Sequence, residues 1–169
     1  MRLVALALCL FASPALAAGR SFTVTPVITA DAYAQADQIG TLTKLEGILE
    51  CSSCPIRLET MLVLDKSKTK DAFDVYFFSR AATLTSIDNG AFDVADTGMA
   101  TSFAGKVSVA AADFSDTNVN STATKALALM LPGTSGSDLW MALVCTDAGG
   151  CDWGAIGDLT LRLVYDELD

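Results

Sequence analysis

Five cysteines punctuate the chain, and their spacing is its most informative polar chemistry. Cys9 stands in an apolar N-terminal run. The other four form two groups: Cys51 and Cys54 in a CSSC turn closed by Pro55, and Cys145 and Cys151 around an Asp- and Gly-rich loop. An even set in an exported chain points to disulfides, and four cysteines allow three connectivities. Joining Cys145 to Cys151 would clamp one loop, and joining Cys51 to Cys54 would close a very small ring. Cross-pairing would tie two distant loops together, at a closure entropy that grows slowly with enclosed length. A redox CxxC needs its first cysteine at a helix N-terminus within a βαβ unit, and the flanks of Cys51 read as strands. A four-thiolate zinc site needs two close pairs, and the five residues between Cys145 and Cys151 depart from that spacing. Structural disulfides over Cys51, Cys54, Cys145 and Cys151 are the expectation, with the pairing open.

The remaining polar constellations carry less chemistry. The chain has no His, which removes every His base, His triad and His-ligated metal. Ser52 and Ser53 therefore have no imidazole to activate them. Asp71 with Asp74, or Glu46 with Glu50, have the residue types of an acid–base pair but read as solvated faces. Asp113, Asp116, Asn118 and Asn120 crowd oxygen ligands into one loop, a weak calcium candidate whose spacing fits no EF-hand. Asn120-Ser121-Thr122 matches a glycosylation acceptor. Trp140, inside an apolar run, reads as core; Trp153, just past Cys151, reads as an exposed aromatic contact able to stack on a sugar ring. No enzyme, metal or cofactor is expected. Lys plus Arg number 11 against 20 Asp plus Glu, a formal net charge of −9, which disfavours nucleic acid and anionic lipid.

The elements that must position these groups read as strands. Phe22, Val24, Pro26 and Ile28 alternate with Thr23, Thr25 and Val27. Residues 39–49 suit a strand with bends at Gly40 and Gly47. Residues 56–64 place Ile56, Leu58, Leu62 and Leu64 on one face. Residues 73–78 set Phe73, Val75 and Phe77 against Asp74, Tyr76 and Phe78. Residues 125–131 alternate Leu127, Leu129 and Leu131 with small residues. Residues 139–145 are apolar on both faces, as in a central strand. Residues 159–165 turn Leu159, Leu161 and Leu163 inward. One or two helical turns fit 30–36 or 95–103, and the polar stretch 115–124 reads as a long surface loop. Seven or eight short strands predict an all-β, antiparallel, jelly-roll-like sandwich; an immunoglobulin-like order fits the same pattern.

The N-terminus reads differently. Met1 and Arg2, the apolar stretch 3–11, Pro14 and Ala15-Leu16-Ala17 make the tripartite pattern of a secretory signal. The apolar part is too short for a stable span, which needs about 20 residues. Residues 1–17 are read as a signal peptide cleaved after Ala17, and 18–169 as one sandwich domain in the periplasm or outside the cell.

From Ser21 to about Val164 the chain resembles small structural proteins of tailed bacteriophages and prophages. The stretches that carry this are ITADAYAQADQIG (28–40), FDVYFF (73–78), IDNGAFDVADTG (87–98), LWMALVC (139–145) and DLTLRLVY (158–165). The resemblance implies a β-sandwich virion component, a capsid decoration or cement protein without catalytic residues, whose partners are capsid subunits or further copies. Its expected contact surface is a sandwich edge with loop 81–98, where apolar Leu84, Ile87 and Phe92 sit among polar residues; Trp153 is a further candidate contact. The rival reading of that loop folds it back over the sandwich. The alternative function is an exported envelope binding module stabilised by disulfides, with a protein or glycan ligand.

Overall fold

The computed structural model describes residues 19–168, apart from 30, 31, 52, 85, 86 and 135; the predicted signal segment lies outside them. Among the described residues nine strands run in chain order: β1 Arg20–Val24, β2 Gln38–Leu45, β3 Ile56–Asp65, β4 Phe73–Phe78, β5 Phe103–Val109, β6 Phe114–Asp116, β7 Ser121–Leu131, β8 Leu139–Cys145 and β9 Leu159–Glu167. A short helix α1, Asp96–Ser102, precedes β5, and a 3₁₀ turn, Ala111–Asp113, precedes β6. One sheet has the order β1-β9-β3-β7-β6 and the other β2-β8-β4-β5, with every pairing antiparallel.

The pairings are nested: β4 with β5, β3 with β7, β2 with β8, and β1 with β9. A long hairpin rolled up so that successive pairs fall in alternate sheets gives this order. It is a jelly roll, with β6 added at one edge, and the immunoglobulin-like alternative is set aside.

The inward faces follow the period-two pattern. Phe73, Val75 and Phe77 of β4 meet Leu159, Leu161 and Leu163 of β9 in one core that also holds Ile56, Leu58 and Met61. Strand β3 corrects one expected face. Its register slips between Leu58 and Thr60, so Ile56 and Leu58 point in, but thereafter Met61 and Val63 do. Leu62 and Leu64 are thrown onto the outer surface, because one extra residue inverts the alternation. Strand β2 also slips, between Ile39 and Thr43, next to Gly40 at φ 70°. A side chain at Gly40 would collide with the Val27 carbonyl.

Stretch 115–124 is not a long loop. It opens within β6 and closes within β7, and the link between them is the turn 117–120. The β-branched threonines of β7 are good strand formers despite their polarity. The buried Ser121 hydroxyl lies 3.2 Å from Asp65 Oδ2, which supplies a partner for its polar oxygen. A helix does form at 96–102, whereas the described residues 32–36 make a bridge and a turn.

The chain between β4 and β5 forms a strap across the outer face of the four-stranded sheet. Leu84, Phe92, Val94 and Met99 pack there against Leu42, Tyr76, Phe78, Trp140 and Ala142. Gln38 N–H donates to Gly90 O (2.8 Å) and Phe92 N–H to Ala36 O (2.8 Å). Asp88 accepts from the Tyr33 hydroxyl (2.9 Å) and Gly40 N–H (2.7 Å). The strap explains why β8, central between β2 and β4, is apolar on both sides: one faces the core and the other is roofed.

Candidate functional site

The cysteines pair locally as Cys51–Cys54 and Cys145–Cys151. Cys54 precedes β3, and Cys145 lies opposite Phe73 at the start of β4, so the two bridges cap opposite ends of the sandwich. At the first end, Glu167 Oε1 accepts Cys51 N–H (2.8 Å) and its Oε2 accepts Arg20 (2.9 Å) and Glu50 N–H (3.2 Å), which fastens the CSSC turn to β9. Gly133 packs against the Ser53 carbonyl with no room for a side chain. Among the described residues, the close grouping of metal-capable atoms is Cys51, Cys54 and Glu167, and its sulfurs are bound to each other.

At the second end the disulfide is fully buried and helps build a cleft. The β8–β9 loop is stitched to the β1–β2 loop by Tyr33 N–H to Cys151 O (2.8 Å), Cys151 N–H to Tyr33 O (2.9 Å) and Ala36 N–H to Cys145 O (2.8 Å). Beside this seam opens a hollow of about 430 Å³ lined by Gln35, Ala36, Asp74, Tyr76, Phe92, Val144, Cys145 and Thr146. That size lies within the range of small-ligand sites. Asp74 stands on the outward face of β4, its side chain 10% exposed, with Lys106 Nζ 2.7 Å from Oδ2. The same ammonium lies 5.7 Å from the Tyr76 ring centroid. Hydrogen bonding to Asp74, followed by its negative charge, raises the Lys106 pKa, so the ammonium stays charged at neutral pH. Tyr76 and Phe92 meet at 4.8 Å with ring planes 42° apart. Gln35 Nε2 reaches Thr146 O at 3.4 Å across the rim. Carboxylate, amide, hydroxyls and an aromatic wall thus converge on one hollow, and Lys106, outside its lining, balances the charge of the carboxylate.

Among the described residues, no strap like that of the four-stranded sheet crosses the outer face of the five-stranded sheet. There Leu62 and Leu64, displaced by the β3 bulge, floor a depression of about 380 Å³ bordered by Thr23, Thr122, Thr124, Thr160 and Arg162. Its lining contains no carboxylate, although the chain carries a net charge of −9.

Of the contact residues read from the sequence, Phe92 lines the cleft, Leu84 lies under the strap and Ile87 is 77% exposed. Trp153 is not an exposed contact. It is 1% exposed, edge-on to Phe73 at 5.9 Å and near Tyr33 at 6.4 Å. The short cystine loop turns the chain back into the core at this point, which its position beside Asp and Gly residues concealed. Three of the four calcium candidates are engaged by groups of the chain itself. Asp113 binds Lys125 Nζ (2.7 Å) and Ala110 N–H (2.7 Å), Asp116 binds Lys70 Nζ (2.7 Å), Asn120 bonds Thr117, and Asn118 is exposed. Glu46 and Glu50 are likewise taken by Lys44 and Arg20, and Asp71 accepts Asp152 N–H. The cleft's grouping was missed because its polar residues come from separate elements: Asp74 and Tyr76 from β4, Gln35 and Thr146 from two loops. The available signal was the outward set of the 73–78 alternation.

No protein-family model matches the sequence, and none of the curated proteins is detectably similar to it.

Proposed function

We propose that this chain is a non-catalytic binding module that works outside the cytoplasm, exported by cleavage after Ala17. Its contact site is the cleft between the roofed sheet and the clamped β8–β9 loop. The observation that carries the reading is the pair of disulfides, one at each end of the jelly roll. Such bonds persist in non-reducing compartments and stiffen loops that would otherwise spread. Among the described residues no helix is long and apolar enough to cross a membrane. The carboxylates nearest to an acid–base pair are engaged by lysines, arginines or backbone N–H groups, which supports contact rather than turnover.

A second reading, a virion decoration protein, is favoured by the nested jelly-roll order, an architecture recurrent in viral capsids, together with the bare sheet face. Fold analogy alone does not carry function. A threonine-bordered depression with a leucine floor and no carboxylate in its lining suits a neighbouring protein subunit. Fractionating the native host separates the two readings. The exported module is expected in the periplasm or medium; recovery on capsid-sized particles would support the virion reading instead.

A further inference from the structure

We infer that the cleft at Asp74 takes a neutral saccharide ring, a conclusion that rests on the binding-module reading and names its ligand class. Four classes of small ligand can be weighed against the groups present. A cation would have to displace Lys106, which already holds Asp74 Oδ2 at 2.7 Å and lies over the Tyr76 ring. An anion would meet Asp74, the one charged group of the lining, on a chain of net charge −9. A purely apolar ligand would strip water from a carboxylate–ammonium pair and return no hydrogen bonds. A polyhydroxylated ring answers all of these. A ring hydroxyl donates to the Asp74 carboxylate, whose charge Lys106 already balances from outside the lining, so the buried pair keeps a polar partner on the ligand side.

The rest of the lining fits the same ligand. Gln35, exposed at the rim, offers an amide with both a donor and an acceptor, and Thr146 a hydroxyl. Phe92, Val144 and Ala36 give the apolar side on which the C–H face of a sugar ring rests. The strap delivers Phe92 and the Cys145–Cys151 loop delivers Thr146, so the two features that most distinguish this jelly roll meet at the hollow.

The test is amide chemical-shift mapping on the oxidised chain titrated separately with N-acetylglucosamine, methyl glucoside, methyl galactoside, cationic glucosamine and anionic glucuronate. At least one neutral sugar is expected to shift Gln35, Tyr76 and Thr146, with both charged sugars about tenfold weaker or worse. Asp74→Asn is expected to weaken that binding about tenfold, the loss of one charge-assisted hydrogen bond. Gln35→Ala, an exposed loop change that leaves the core intact, is expected to weaken it several-fold. Preference for glucosamine would overturn the ligand class while leaving the cleft as the site. Shifts confined to the Thr23–Thr124 face would overturn the cleft while leaving a binding module. No shift with any sugar at tens of millimolar would overturn the proposal, whereas the module's compartment is judged independently by fractionation.

Discussion

The carboxylates of this acidic chain act on stability in two opposite directions. Lys125 and the Ala110 N–H hold Asp113 below the usual carboxylate range, Lys70 does the same for Asp116, and Lys44 with Gly47 N–H for Asp138. Each contributes stability that is present above the unfolded-state pKa and lost as pH falls through the lowered folded value. Asp71 runs the other way. Burial pushes its pKa up, with Asp147 and Asp65 adding negative charge, so its contribution is present at low pH and lost as pH rises. Thermal melts should therefore fall as pH drops below the ordinary carboxylate range. Asp71→Asn should raise the unfolding free energy at pH 7, by an amount within about 1 kcal/mol, and give no gain at pH 3. Trp153 makes a larger prediction. Its ring is buried against Phe73 and its Nε1–H has no partner among the described residues. Trp153→Ala should cost about 3–5 kcal/mol in denaturant unfolding, whereas an exposed contact would cost almost nothing. Residue type gave no warning of this burial, because Trp is as much at home on a binding surface as in a core.

Elements were legible where one face decided them. The alternation in 73–78 and 159–165 fixes which side of β4 and β9 meets the core, and the structure follows it. It failed on β3, where a bulge between Leu58 and Thr60 reverses the faces without leaving a Gly or Pro to mark it. It failed on β5 and the first half of β7, whose small and polar residues carry too little apolar contrast to declare a period. Cysteine count predicted the disulfides but spacing could not choose their partners. Both bridges close short loops, so chain entropy assigns each about 2 kcal/mol. Replacing Cys145 and Cys151 together by Ala should cost more than replacing Cys51 and Cys54, since the first pair is wholly buried. It should also broaden the amide signals of Gln35 and Thr146, which the second replacement should leave sharp. The strap adds a further expectation. Phe92→Ser removes an apolar ring from beneath it, so limited proteolysis should cut between β4 and β5 before the sandwich itself is digested.

At the scale of the whole molecule, the sandwich was visible in the sequence but its winding was not. Strand order depends on contacts distant along the chain, and period-two patterning is the same in every antiparallel sandwich. The asymmetry of the two outer faces was equally hidden, because it depends on where the strap lands. That asymmetry leaves one roofed sheet with a polar cleft and one bare sheet with a leucine floor. If the bare face also joined copies of the chain, Thr124→Glu would dissolve the association; the binding-module account expects a monomer for both proteins by sedimentation. The claim on which everything rests is that this jelly roll is a disulfide-clamped protein of a non-reducing compartment. Intact-mass analysis of the chain from its native host, alkylated under denaturing conditions without reductant, tests it most directly. The account predicts a chain beginning at Ala18 with no alkylated cysteine; a chain retaining Met1 with Cys51, Cys54, Cys145 and Cys151 all alkylated would contradict it.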